Sequence, residues 1–248
     1  MNDMRAWRRV AVTAAAAIGV CTGGGCQRQP RTWTFTVREP LNQEYGAELL
    51  TFPFTAERGE CQAAAVSLAG PDGPLAVQLS DTTYWPGGKR HVKTARLCFI
   101  AEAVKALTTT SYTATCGGQA GPPHVTDLRL ARNPDSVEIF TRHMGVRVPL
   151  YDGVPAAPLA AADVPGPLLA MRMGDGNWAG GSSLKGDAAV TAWRSWIADA
   201  GPVFARVVTS YDFADGNRLE VVATVAAGDR AVRWEMSVRD DHPELALE

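Results

Sequence analysis

Aromatic and basic side chains in the second half of the chain are the residues best suited to chemistry, and the chemistry they suit is contact with a sugar polymer. Aromatic rings offer flat apolar faces on which pyranose rings stack, and arginine pairs with carboxylates through charge-assisted hydrogen bonds. The candidate substrate-binding residues are Trp178, Trp193, Trp196, Tyr211, Arg172 and Arg194. Core packing is the competing interpretation of the aromatic residues, because such side chains dominate the interiors of β domains.

Catalytic residues stay unknown, because the chain shows no convergent acid, base and nucleophile. Removing a proton beside a carboxylate needs a base and a cation, and His143 directly follows Arg142. On a strand these two side chains point to opposite faces, so the pair does not make a site by itself. Asp175, Asp187 and Asp212 could serve as acids, although Asp175 between two glycines suits a turn better.

Neither a metal ion nor another cofactor is predicted. The glycine-rich stretch at 174–181 lacks the Lys that follows a phosphate loop. The histidines are scattered singly, and the cysteines after the N-terminal segment lack the close spacing of a zinc site: His91, His124, His143, His242, Cys61, Cys98 and Cys116.

The first 26 residues have the three-part layout of a secretory signal. Arginines at the start precede an apolar run at 10–20, and small residues lead from that run to Cys26. The run is too short to span a bilayer comfortably as a permanent helix. We therefore predict a signal segment at 1–26 with lipid attachment at Cys26, simple cleavage being the alternative. The expected location is the bacterial cell envelope, lipid-anchored or secreted, with membrane contact only through the lipid.

Three cysteines remain once the signal is removed, in a compartment that favours disulfides. At most one bridge can form among Cys61, Cys98 and Cys116, and the sequence leaves the pairing open. Cys98 lies in an apolar segment that is expected to be a buried strand, which favours its interpretation as a small core side chain.

Charge excludes one class of partner. The formal net charge is -2 and no basic run follows the first residues, which argues against nucleic acid. The same charge gives no global attraction to an acidic polysaccharide, so recognition of one must be local. Cations close in sequence to the candidate aromatics could provide it, such as Arg172, Lys185, Arg194 and Arg206.

The elements that must position these residues are β-strands. Alternating apolar and polar residues joined by glycine turns predict an antiparallel meander over 201–239. Earlier strands are predicted at 32–37, 49–54, 61–68, 75–79, 92–100, 108–115, 136–140 and 145–150. The segment 190–196 is ambiguous, and Trp193 and Trp196 would share one face if it were helical.

Strand spacing predicts an all-β fold with two antiparallel sandwich-type or barrel-type domains. The first domain is expected at 31–116 and the second at 125–248, with a linker at 117–124. The three-stranded meander at the end leaves one apolar face to cover, so the second domain is expected to be an incomplete, truncated sandwich.

Several motifs of the sequence occur together: Arg38-Glu39-Pro40-Leu41, Thr51-Phe52-Pro53-Phe54, residues 77–81, 92–99 and 108–112, then 201–205 and 211–216. In these motifs the chain resembles the N-terminal and central β regions of secreted bacterial proteins similar to exo-rhamnogalacturonan lyases, which degrade polysaccharides. Members of this family are longer and carry a helical, toroid-like region downstream. The resemblance therefore implies a downstream catalytic domain as a partner. No catalytic residue of the family can be placed on this sequence.

Three functions follow as alternatives. The expected one is a noncatalytic β region of a cell-surface polysaccharide-processing protein, which binds or orients an acidic polysaccharide without cleaving it. The Gly-rich aromatic loop around Trp178 is the expected contact. The second is a stand-alone carbohydrate-binding or adhesion lipoprotein, which would need the meander to be closed by earlier strands. The third is a complete small polysaccharide lyase.

Overall fold

A computed structural model describes residues 30–40, 42–87, 91–103, 105–117 and 125–239. These residues form sixteen antiparallel strands and two short 3-10 turns, with no α-helix, so the all-β prediction is confirmed. No helix within them is long and apolar enough to cross a membrane. The predicted signal segment with Cys26, and residues 118–124 of the predicted linker, lie outside the described residues.

The chain divides into two compact units, and the boundary in the sequence lies between residues 125 and 126. The first unit holds two sheets, of strand order β1-β7-β3-β4 and β2-β6-β5. Its strands are β1 Arg31–Arg38, β2 Glu48–Thr55, β3 Val66–Gly70, β4 Gly73–Leu75, β5 Gln78–Tyr84, β6 Val92–Ala101 and β7 Thr109–Cys116.

Aromatic side chains join the two sheets of the first unit across one core. The ring of Phe35 on β1 lies 5.0 Å from that of Phe52 on β2, and the rings of Phe99 on β6 and Tyr112 on β7 are 4.6 Å apart. All four side chains are buried, as the alternation of apolar residues along these strands requires. The first unit is therefore a sandwich of a four-stranded and a three-stranded sheet.

Two of the strands predicted in the first unit are wrong in part. The segment 61–68 begins with a 3-10 turn, Ala63–Ala65, and only then becomes β3. Cys61 is disulfide-bonded to Cys116 while Val66 pairs with that same residue in the sheet, so the chain must coil between them. The segment 75–79 is interrupted at residues 76–77, because β4 completes a hairpin with β3 and β5 belongs to the other sheet.

The second unit also holds two sheets around one core, of strand order β12-β10-β9-β8 and β11-β13-β14-β15-β16. Its core contains apolar side chains of β9 and β10 facing those of β14 and β15. Sequence reasoning missed the short strands β8, β11 and β12, and the ambiguous segment 190–196 is the start of the strand β13. The strands are β8 Arg129–Arg132, β9 Ser136–Phe140, β10 Met144–Pro149, β11 Tyr151–Gly153, β12 Ala170–Met173, β13 Val190–Ala200, β14 Phe204–Phe213, β15 Arg218–Ala226 and β16 Arg233–Arg239.

The predicted meander is confirmed as β14, β15 and β16, with turns at the predicted glycines. Its apolar face is buried along β14 and β15. On β16, Trp234 packs partly against that core, while Met236 and Val238 are 74% and 73% exposed. The four-stranded sheet packs against β14 and β15. The strand β16 is held mainly by its hydrogen-bonded pairing with β15 and less by burial of its apolar side chains.

Asp127 and Thr141 tie the two sheets of the second unit together. One carboxylate oxygen of Asp127 accepts a hydrogen bond from the backbone N–H of Gly228 (2.8 Å), and the other accepts one from the N–H of Arg142 (3.1 Å). The Thr141 hydroxyl donates to the carbonyl oxygen of Asp229 (2.8 Å). The turn between β9 and β10 is thereby fixed to the turn between β15 and β16.

We expect Asp127→Ala to lower the free energy of unfolding by about 2 kcal/mol, since hydrogen bonds to a charged group contribute roughly 1.5–3 kcal/mol and this carboxylate is partly exposed. Asp127→Asn, which keeps one acceptor oxygen, should lose less. Urea denaturation followed by circular dichroism measures both. The exposed Asp187 provides the control, since its replacement by Ala should change stability by under about 0.5 kcal/mol. Equal midpoints for Asp127→Ala and the control would contradict this role.

Candidate functional site

The six predicted substrate-binding residues lie in three different places within the second unit. Two of these places lie on opposite faces of the strand β13, which carries both Trp193 and Trp196. Successive side chains of a strand point to opposite faces, so residues three apart are on opposite sides. Trp193 is accordingly 8% exposed and Trp196 is 40% exposed.

Trp193 and Tyr211 belong to the core. The ring of Trp193 stacks on that of Tyr151 at 4.1 Å, and the Tyr211 side chain, which is fully buried, donates a hydrogen bond from its hydroxyl to the carbonyl oxygen of Pro165 (2.8 Å). Burial raises the pKa of Tyr211 well above its usual value, so the phenol stays protonated as that donor. These two rings anchor the loop before β13 and are closed to a polymer.

Trp196 and Arg194 line a surface groove of about 490 Å³ beside the short edge strand β11. Both side chains project from the same face of β13, because they are two residues apart. We call this surface the Trp196 groove. Its lining residues are Arg132, Pro134, Leu150, Tyr151, Asp152, Arg194, Ser195, Trp196, Ser210 and Arg218.

Positive charge dominates the Trp196 groove, which holds three arginines and one carboxylate. Arg132 and Arg194 are exposed, and neither forms an ion pair within the part of the chain that the structure describes. Arg218 is held in place, because its guanidinium donates to the Ser210 hydroxyl (3.2 Å) and lies 3.7 Å from a carboxylate oxygen of Asp212. The groove thus combines an exposed indole with two guanidinium groups, those of Arg132 and Arg194, that have no ion-pair partner among the described residues.

Trp178 and Arg172 lie elsewhere, on the outer face of the four-stranded sheet. The guanidinium carbon of Arg172 is 5.3 Å from the centre of the Trp178 ring, and that of Arg147 is 4.5 Å from it. Phe140 completes the cluster, with its ring 5.9 Å from Trp178 and 4.7 Å from the guanidinium of Arg172. The indole that the sequence favoured for sugar contact is half-buried and already stacked with protein groups.

Gly145 makes this second cluster possible. It pairs with Phe140 on one side and Arg172 on the other, at the centre of three neighbouring strands. A Cβ at this position would lie 2.9 Å from a ring carbon of Phe140 and 3.1 Å from Cγ of Arg172. The absence of a side chain on Gly145 therefore leaves room for the ring and the arginine stem to lie over the sheet.

Sequence reasoning missed Arg132, Arg218, Arg147 and Phe140. Alternation along β9 and β10 could have placed Phe140 and Arg147 on an outward face, because the residues beside them are apolar. Arg132 and Arg218 reach the Trp196 groove from strands that are distant in sequence from Trp196. Only the pairing of strands brings them together.

The residues considered for acid–base chemistry are not assembled into one site by the described residues. Arg142 and His143 lie in the turn between β9 and β10, so the assumption that they share a strand is wrong. Asp175 lines a cleft beside Arg172, while Asp187 lies in an exposed bend. Within the described ranges, no group of three His, Cys, Asp or Glu side chains could hold a metal ion.

No known protein family matches the chain, and no curated protein matches it. Function must therefore be inferred from these side chains and from the resemblance in the sequence.

Proposed function

We propose that this chain is a noncatalytic β region of a cell-surface polysaccharide-processing protein, and that it binds an acidic polysaccharide in the Trp196 groove. The observation that carries this is the exposed ring of Trp196 beside Arg194 in a groove with two further arginines. A uronate polymer offers what such a groove needs, since its sugar rings can stack on the indole and its carboxylates can pair with guanidinium groups.

Local charge makes the groove attractive to a polyanion although the whole chain has a net charge of -2. Arg132 and Arg194 have no carboxylate to displace among the described residues, so pairing with a uronate costs no internal ion pair. The secretory layout at 1–26 supports action in the cell envelope, where a polysaccharide would be met. The resemblance to lyase-like proteins supports a downstream catalytic partner.

A stand-alone carbohydrate-binding or adhesion lipoprotein is the second candidate. It requires the meander to be covered by earlier strands and an aromatic ring to remain exposed. The packing of β9 and β10 against β14 and β15 and the exposure of Trp196 both favour it. The two candidates share the same binding groove and differ in whether a catalytic domain follows.

We expect Trp196→Ala to weaken retention by polygalacturonate at least about ten-fold, because loss of one ring–sugar stack costs on the order of 1.4 kcal/mol. Affinity gel electrophoresis with and without the polymer in the gel measures this directly.

Arg194→Ala should weaken retention too, and the loss of retention should become smaller as the salt concentration rises, since exposed charges are screened. Neutral galactan in the gel should retain the chain little.

Trp178→Ala provides the matched control, because it removes an indole from the same unit outside the groove. Retention that falls for Trp178→Ala and stays unchanged for Trp196→Ala would place the contact elsewhere and contradict the proposal. The noncatalytic part is tested by absorbance of unsaturated uronides. A clear rise with the full chain and a pectic substrate would instead establish a lyase.

A further inference from the structure

A cleft of about 550 Å³ on the outer face of the four-stranded sheet holds three arginines that the polymer groove does not use. We call it the Arg172 cleft. It shares no lining residue with the Trp196 groove. Its lining residues are Asp127, Arg129, Leu130, Ala131, Phe140, Thr141, Arg142, Arg172, Gly174 and Asp175.

Arg172 carries a charge that nothing in the described residues compensates, as comparison with Arg147 makes clear. Both guanidinium groups stack on Trp178. Arg147 also binds the carboxylate of Glu138, through Nε at 2.8 Å and Nη2 at 2.6 Å. Arg172 has no carboxylate partner among the described residues, and its Nε is buried without a hydrogen-bond acceptor. The aromatic rings supply no acceptor for this buried Nε–H, and an unsatisfied donor on a charged group is costly where water is excluded.

Arg129 faces the same cleft from the opposite end of one row of side chains. That row runs Arg129, Phe140, Gly145, Arg172 across four strands, and each residue is paired with the next in the sheet. Arg129 is exposed and has no ion pair among the described residues. Phe140 lies between the two arginines and supports the guanidinium of Arg172 at 4.7 Å.

The two carboxylates of the cleft differ in their availability. Asp127 is engaged by the backbone N–H groups of Gly228 and Arg142, and its carboxylate lies 3.7 Å from Nε of Arg142. Asp175 lies in an exposed turn and forms no ion pair within the described residues. An ionised carboxylate only accepts hydrogen bonds, so Asp175 suits the hydroxyl groups of a ligand.

We propose that the Arg172 cleft is a second, separate binding site for an oxyanion on a small hydroxylated molecule, such as a single sugar acid or a sulfated sugar. The Nη groups of Arg172 and the guanidinium of Arg129 bind the carboxylate or sulfate, and Asp175 accepts hydrogen bonds from the hydroxyls. A planar guanidinium fork pairs with such oxyanions in two parallel hydrogen bonds. This site does not depend on polymer binding in the Trp196 groove.

The test is a titration of the full chain carrying Trp196→Ala, followed by amide NMR, with three probes: galacturonate, sulfate and neutral galactose. We expect saturable shifts around Arg172 and Arg129 at concentrations on the order of millimolar for the anions, and none for galactose. Tighter binding of galacturonate than of sulfate would identify the sugar acid as the ligand. Tighter binding of sulfate would identify the sulfated sugar.

Two variants locate the site. Arg129→Ala changes an exposed side chain, and Arg172→Lys keeps the charge but loses the fork, so each should weaken binding about ten-fold or more. Arg233→Ala, at an exposed arginine of β16 that lines neither the Trp196 groove nor the Arg172 cleft, is the control and should leave binding unchanged. Absence of saturable shifts with both anions, or equal binding by all three variants, would overturn the proposal. Polymer retention by the chain with Trp196 intact is a separate readout, so the two proposals fail independently.

Discussion

A chain in which Cys61 and Cys116 are both replaced by serine is expected to lose about 4 kcal/mol of unfolding free energy, on the loop-entropy model of a disulfide. The two cysteines are 55 residues apart in sequence, and the bridge closes a loop that contains β3, β4, β5, β6 and β7. Without the bridge the unfolded chain gains conformational freedom that the native state does not share. Both cysteines are buried, so the substitution also places hydroxyl groups in the core.

Urea denaturation under oxidising and reducing conditions measures this effect. Reductant should destabilise the wild-type chain by a similar amount and leave the double serine variant unchanged. Cys98 is the matched control, because it is a buried thiol outside the bridge and Cys98→Ala removes only a small side chain. A double variant no less stable than Cys98→Ala would show that the bridge contributes nothing.

The sequence predicted the state of the three cysteines in part. The sequence limited the chain to one bridge and interpreted Cys98 as a core side chain, and the structure confirms both. Which two cysteines pair could not be predicted, because it depends on β3 and β7 being neighbours in one sheet.

Local pattern predicted the strands well where one face of a strand is buried and the other exposed. Along β15 the alternation matches the burial from Val221 to Val225, and the glycine turns follow β14 and β15 where expected. β14 is instead buried on both faces from Val207 to Tyr211, because it lies in the middle of the five-stranded sheet. It failed at residues 75–79, where the apolar alternation continues while the chain crosses from one sheet to the other. A period of two describes a single strand and carries no information about which sheet the strand joins.

The candidate site was predicted only as far as its residue types. Trp196 and Arg194 share a groove, but the sequence could not associate them with Arg132 and Arg218, which come from β8 and β15. Convergence of that kind is set by sheet pairing over long sequence separations. The strands and the loop that carry the aromatic rings also decide which of them meet solvent, and this separated Trp178 and Trp193 from Trp196.

Trp193→Ala is expected to lower the free energy of unfolding by about 3–5 kcal/mol, the range for removing a buried aromatic side chain. Its ring lies between those of Tyr151 and Tyr211, with centroid distances of 4.1 Å and 6.4 Å. The Tyr211 hydroxyl is hydrogen-bonded to the carbonyl oxygen of Pro165, so we expect the surroundings to relax little into the void. Circular dichroism during urea denaturation measures the loss, since it does not depend on tryptophan emission.

Trp196→Ala is the control for the same change three residues away on the other face of β13, where we expect a stability loss of about 1 kcal/mol or less. Replacing Trp193 should therefore lower stability, whereas replacing Trp196 should lower polymer retention. Trp193→Phe should recover much of the stability, because it restores most of the buried ring area. Equal stability losses for Trp193→Ala and Trp196→Ala would mean that β13 does not present opposite faces to core and solvent. The assignment of Trp196 to the binding groove would then fail with it.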